Sequence, residues 1–378
     1  MRTQQLSSLA QIIVQHCTPL RPGDLVTIVA DPCAMPAVEA VFTAALHARA
    51  HPSFHAKPHA LQHLLLTLAN PEQLTHISPF EQHRLQHCDV LIVLNTRPDG
   101  PPDPVDPART AAHQAARRPL LSMSLDRLAR GDSRYCLVEL ASPASARAAG
   151  MTLDEYTDWT FRAGLLHLPD PLAAWRTLHE QHLRMKAFLE QRSTLRFRAP
   201  AITGPYPCGE TDLTADIHAR TWLSRAGGEN FPDGELDGGP RSLHGTACFP
   251  YAIYRDTLVE NIRLRFTDGR VTDASAAANE EFLFRMLDMD AGSRTAGEIA
   301  LGTNYHITQL TRNTFFDEKV GGTFHLALGA GYPQTGNTNE SGLHWDMVRD
   351  LRQGGEVTAD GEVIQREGMF TPPGWPRP

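Results

Sequence analysis

Hydrophobic positions along the chain change period near its middle. Before residue 190, continuous apolar runs at Leu25–Val29, "CDVLIVLN" (88–95) and "YCLVEL" (135–140) are separated by other segments, with helical stretches at 8–19 and about 35–50. Runs of this length fit strands buried on both faces, as in a parallel sheet covered by helices. Asp170 and Pro171 then open a helix in which Leu172, Trp175, Leu178, His182, Met185 and Leu189 recur at helical spacing. Aspartate suits the cap, and proline suits the first turn, where its missing N–H is no loss. Beyond this helix the period falls to two. Ile262, Leu264 and Phe266 alternate with polar residues ahead of Asp268-Gly269, and "GGEVTADGEVIQREGMF" repeats the pattern around Asp360-Gly361. Both read as β-hairpins.

The expected fold is an α/β N-terminal domain with a mainly parallel sheet, residues 1–191, followed by an α+β C-terminal domain with antiparallel hairpins or a barrel-like sheet, residues 192–378. Two domains suit the length of 378 residues, since single cores rarely grow past about 250–300 residues. Five prolines between Thr96 and Ala108 mark a surface loop without regular structure.

Charge and cysteine content exclude several partners. The net charge is −8 with no Lys/Arg run, so no surface for tracking phosphates is expected, and nucleic acid is not a partner. The opening "MRTQQLSSLAQIIVQHC" lacks the unbroken apolar core of a signal peptide. No stretch approaches the roughly 20 apolar residues of a membrane span, so a cytoplasmic protein without a membrane partner is expected. The six cysteines are scattered without a C-x-x-C pair and are expected to be reduced packing residues.

The chemistry lies among the 18 histidines and the carboxylates. His51, His55, His59 and His63 fall at every fourth residue, but Pro52 and Pro58 interrupt the helix that this spacing requires, so the series is expected to be a decoy. His218 and His306 have no carboxylate beside them and are expected to be packing residues. His344 and Asp346, in "SGLHWDMVRD", differ: on a strand they share one face while Trp345 and Met347 point into packing. The pair is either chelating or a hydrogen-bonded couple at a rim. His325 lies between Phe324 and Leu326 in an apolar strand, Thr323–Leu328, with Tyr332 seven residues on. An unsatisfied buried polar group costs about 1–3 kcal/mol, so His325 must be hydrogen-bonded or metal-bound. Glu298 in "AGEIALGTN" and Glu235 in "NFPDGELDGGP" sit beside glycines with no Lys or Arg next to them, and a cation would satisfy both.

The succession "NFPDGE", "GEIALGTN", "FDEKVGGTFHLALGAGY", "NESGLHWDM" and "GGEVTADGEVI" resembles the aminopeptidase T / aminopeptidase S family of metalloaminopeptidases, and similar segments cover nearly the whole chain. The resemblance implies metal binding by Glu235, Glu298, His325, His344 and Asp346, a site tyrosine at Tyr332, and a homodimer. One segment departs. Where the family usually continues Val-Phe-Thr-x-Pro after its first glutamate, this chain has "LDGGP", placing Asp237 where an aromatic stood. A carboxylate there is expected to widen the pocket and favour basic or bulky N-terminal residues.

Three carboxylates and two imidazoles without a thiolate suit two divalent cations such as Zn, Co or Mn, with one carboxylate, Glu298, as the expected bridge. The expected function is a metal-dependent aminopeptidase that releases N-terminal amino acids from peptides through a water activated by two metals. Tyr332 is either a weak ligand or an oxyanion donor, and Glu235 also shuttles the proton to the leaving amine. Two alternatives stand beside this reading. One is a mononuclear Fe(II) ring-cleaving dioxygenase of the same fold using His325, His344 and Asp346. The other is a peptide-binding protein whose site has decayed.

Overall fold

A computed structural model describes residues 2–98, 105–204, 207–255 and 257–378. They fall into two compact units, one of residues up to 175 together with 227–232, the other of 176–226 and 233–378. The division passes inside the helix Pro171–Leu189 rather than after residue 191. The reason lies in the burial of its two ends. The Trp175 indole N–H donates to the Gly164 carbonyl at 2.9 Å and its ring lies 5.3 Å from Phe231, all within the first unit. Met185 and Leu189 pack into the core of the second.

The first unit is built on a parallel five-stranded sheet in the order His51–Ala56, Leu25–Ala30, Val90–Asn95, Arg134–Glu139, Asn230–Phe231. The three continuous apolar runs form its centre, and five of the six residues of Leu25–Ala30 are buried. The helix Met35–His47 buries Ala37, Val38, Val41 and Ala45, the single stripe that its spacing dictates. The proline-rich stretch needs a correction. Part of it, residues 99–104, lies outside the described residues. Its last proline, Pro107, is helical: it begins Pro107–Ala129, and the Asp106 carboxylate caps that helix by accepting from the Ala108 N–H at 2.9 Å. No helix among the described residues is long and apolar enough to cross a membrane.

The second unit holds two antiparallel sheets, one of eight strands and one of five. In the larger, the strands Thr257–Thr267 and Arg270–Ser275 are joined by Asp268 and Gly269 with φ of 49° and 77°. Asp360 and Gly361, at 47° and 87°, join Glu356–Ala359 to Glu362–Arg366 in the same way. Left-handed conformation at both central residues matches the twist of the flanking strands, as the Asp-Gly pairs foretold. Phe197 and Phe249 of the larger sheet meet Phe324 of the smaller, with ring centroids 4.5 and 6.0 Å apart.

Candidate metal centre

The five-stranded sheet runs His344–Asp350, Thr323–Gly329, Ala296–Gly302, Glu235–Gly238, Trp222–Arg225. Alternation gives it two unlike faces. Leu236, Ile299, Leu301, Phe324, Leu326, Leu328, Trp345 and Met347 enter the hydrophobic core. Residues paired across antiparallel strands share a face, so the register defines the other one. Glu298 lies opposite Ala327 and Ala327 opposite Asp346; His325 lies opposite Ala300 and Ala300 opposite Asp237. Glu235 faces Gly302 and His344 faces Gly329. Each donor therefore stands beside alanine or glycine, and the low floor between donors leaves space for an ion.

Glu298 occupies the middle of this face. Its Oε1 is 3.3 Å from His325 Nε2 and its Oε2 is 3.5 Å from His344 Nε2. His344 Nε2 also lies 3.6 Å from Asp346 Oδ1, and His325 Nε2 lies 3.7 Å from Glu235 Oε2. On the far side of each ring, His325 Nδ1–H donates to the Glu318 carbonyl at 3.1 Å and His344 Nδ1–H to the Ala330 carbonyl at 3.0 Å. A carbonyl can only accept, so each Nε2 is left pointing into the cluster to hold either a proton or a cation.

Among the described residues, the donor atoms gather into two groups: Glu235, Glu318 and His325, and Glu298, His344 and Asp346, each within 4.8 Å. All five residues expected to bind metal are present, and a sixth, Glu318, joins them. It follows the short helix Thr314–Asp317 rather than lying on a strand, so no period-two pattern exposes it. The available signal was the charged triplet Asp317-Glu318-Lys319 just ahead of the apolar strand of His325. Asp317 is occupied elsewhere, accepting from the Thr311 N–H and the Tyr251 hydroxyl, both at 2.7 Å. Lys319 is fully buried, ion-paired with Glu318, its Nζ 3.7 Å from Glu235 Oε1.

Four carboxylates thus gather here, and the one ammonium, that of Lys319, lies against Glu235 and Glu318. Burial pushes Glu235, Glu318 and Asp346 above the usual carboxylate range, and neighbouring cationic groups offset this only in part. Burial also acts on Glu298, but the hydrogen bond and charge of His325 outweigh it and hold that carboxyl low. Burial would lower His325, yet the bond with Glu298 and the charge of Glu235 raise it. Two buried carboxylate oxygens, Glu235 Oε2 and Asp237 Oδ2, have no hydrogen-bond partner among the described residues. An excess of buried anionic groups, an orphaned oxygen and a donor set of O and N without S all fit divalent cations of the zinc, cobalt or manganese kind.

The glutamate after Asp-Gly is held by its backbone. Gly234 has φ of +129°, and a Cβ on it would fall 2.5 Å from the Asn304 Cβ. Its N–H donates to the Arg225 carbonyl at 3.0 Å and its carbonyl accepts from Thr303 at 2.8 Å. A side chain at this position would push the start of the Glu235 strand out of place.

Tyr332 follows the His325 strand and lays its ring 5.5 Å from that of His344, centroid to centroid. Burial first, then the charges of Glu298 and Asp346, push its phenol well above its usual range, so it keeps its proton. Asp237 corrects an expectation. It does not stand open to a cationic substrate: it is completely buried and paired with Arg225, Nε to Oδ1 at 2.9 Å. His182, expected on the apolar face of its helix, is buried between the hydroxyls of Ser224 (3.2 Å) and Thr303 (2.7 Å), and burial lowers it to about 3, so it stays neutral. His218 and His306 lie outside both donor groups.

The fourfold histidine series is split by the fold. His51 and His55 lie on the strand His51–Ala56, and His59 and His63 on the helix His59–Leu68. Replacing His55 and His59 together by Gln is expected to leave bound metal and turnover unchanged; loss of metal, measured by elemental analysis, would return them to the candidate list.

Five oxygen and nitrogen donors on one sheet face, a sixth from the turn at Glu318, and both imidazoles oriented by main-chain carbonyls mark a metalloprotein of an α/β unit and a largely antiparallel β unit. The comparisons agree with that class. Residues 2–370 match the family of thermophilic metalloproteases M29, and the chain belongs to this family. It is 27 % identical to aminopeptidase 2 of Geobacillus stearothermophilus over 98 % of both chains, and 31 % identical to aminopeptidase T of Thermus thermophilus over 70 % of both. The solved structure of wild-type AmpT from Thermus thermophilus has the same fold, with a TM-score of 0.82 at 22 % identity, covering 98 % of this chain and all of that one. The protein is therefore a metallopeptidase that depends on a divalent metal and acts on peptides.

Proposed function

We propose that the chain is an aminopeptidase that works with two divalent cations, zinc, cobalt or manganese, one at Glu235, Glu318 and His325 and the other at Glu298, His344 and Asp346. The observation that carries this reading is Glu298, which turns one oxygen toward each imidazole. The names of the relatives point the same way. A single two-histidine, one-carboxylate iron triad would leave Glu235, Glu298 and Glu318 without a task, so the dioxygenase alternative is not favoured.

When bound, the cations supply Lewis acidity and a water of lowered pKa. The chain's own groups do the rest. Glu298 holds the two halves of the site in one spacing, and the carbonyls of Glu318 and Ala330 fix the imidazoles. Glu235 takes the proton of the attacking water at its orphaned Oε2 and passes it to the leaving amine. The Tyr332 phenol donates to the oxygen of the scissile carbonyl as negative charge develops there. Following the family resemblance, the active form is a cytoplasmic homodimer.

Metal analysis combined with release of chromophore from an aminoacyl anilide tests the reading. Two cations per chain with metal-dependent release are expected. One iron per chain, or no release after metal reconstitution, would overturn it.

A further inference from the structure

The ion pair of Arg225 and Asp237 lies outside both donor groups, yet it stands on the same face as the donors. Register places Arg225 opposite Glu235 on the edge strand, and Asp237 shares the face of Glu235 two residues on. Burying an ion pair where the resembled family has an aromatic side chain is costly, because desolvation offsets most of the attraction. A pair that adds little to stability at such a place calls for a reason in the chemistry of the substrate.

Its asymmetry supplies one. The Asp237 side chain is 1 % exposed and that of Arg225 is 17 % exposed. Of the two, it is the arginine side chain that is partly open and the carboxylate that is closed off. Among the contacts that hold the arginine, Nε lies 2.9 Å from Asp237 Oδ1, and the guanidinium carbon lies 5.3 Å from the centroid of the Tyr332 ring. Tyr332 in turn touches His344.

We propose that Arg225, anchored by Asp237 and lying against Tyr332, is a specificity-determining residue that receives a carboxylate of the peptide substrate. This rests on the aminopeptidase reading. A planar, permanently charged fork is suited to a carboxylate, and a guanidinium already held on two sides loses little freedom on binding one. The four carboxylates of the metal site would repel such an anion in the metal-free protein, so recognition belongs to the loaded enzyme. Asp237 acts through Arg225 and is a positioning residue. The preference that a free carboxylate at position 237 would give, for basic N-terminal residues, is thereby reversed.

The carboxylate has two possible sources, the side chain of an acidic N-terminal residue or the C-terminus of a dipeptide. Substrate pairs differing only in charge separate them: α-glutamyl against glutaminyl p-nitroanilide, and Ala-Ala against its C-terminal amide, each with the metal-loaded protein. The anionic member of one pair is expected to be favoured by roughly 10–100-fold in kcat/KM, as charge-assisted pairing in a pocket gives. The discriminating pair names the source. Arg225→Met should abolish the discrimination, Arg225→Lys should keep part of it, and Asp237→Asn should weaken it without changing bound metal.

Equal turnover of both members in both pairs would overturn the proposal while leaving the aminopeptidase reading intact. So would discrimination that survives Arg225→Met. Failure to turn over any of the four substrates would overturn both readings. Should Arg225→Met not fold, the wild-type pairs and Arg225→Lys carry the decision.

Discussion

Glu298→Ala is expected to yield a folded protein that binds at most one cation per chain and shows no measurable peptidase activity. Among the described residues, no other carboxylate turns one oxygen toward each imidazole, at 3.3 and 3.5 Å. Truncation removes the carboxylate that lies between His325 and His344, so one donor group loses a member and the imidazole of the other loses its neighbouring anion. The fold itself should tolerate the change, because position 298 lies opposite Ala327 on the face away from the core and alanine adds no bulk there. Elemental analysis beside a thermal melt measures both parts of the claim. Two retained cations with near-normal turnover would remove Glu298 from the site.

Tyr332→Phe should act on the chemical step alone. The ring against His344 and under Arg225 remains, and only the hydroxyl goes. Since its neighbours keep that phenol protonated, the lost group is a hydrogen-bond donor rather than an anion. Loss of one oxyanion donor lowers kcat by about 10²–10³-fold. Metal content and KM should change little. A variant that loses metal instead would make Tyr332 a ligand.

The chemistry on the strands was legible in the sequence because a strand writes its two faces in alternate letters. His344 and Asp346 could be placed together from Trp345 and Met347 alone, and His325 could be set apart from Phe324 and Leu326 in the same way. Glu318 could not, since it stands in a turn where no period applies, and only the folding of that turn behind His325 brings its carboxylate in. Arg225 escaped for a related reason: its strand is four residues long, Trp222–Arg225, too short for alternation to register. Asp237 was singled out, but a lone chain of letters does not show that an arginine twelve positions earlier neutralises it. The parallel sheet was legible from its three apolar runs, whereas its fifth strand, Asn230–Phe231, is two residues inside a segment that reads as a motif. The boundary within the Pro171–Leu189 helix was hidden because both ends of that helix are apolar and only the packing partners differ.

The short strand Asn230–Phe231 has a consequence for heredity and for engineering. The polypeptide passes from one unit to the other after residue 175, returns at 227 and leaves again after 232. A gene truncated at codon 175 would encode the first unit without the last strand of its sheet. The complementary fragment would carry six residues that have no place in its own architecture. Neither unit can be exchanged for a foreign counterpart by a single crossover, and hybrid enzymes made by joining halves of two relatives at one junction would inherit a mismatched strand that ends four residues before Glu235. Such chimaeras need two junctions that move residues 227–232 together with the amino-terminal part, so the two units are bound to evolve as one lineage rather than as interchangeable modules.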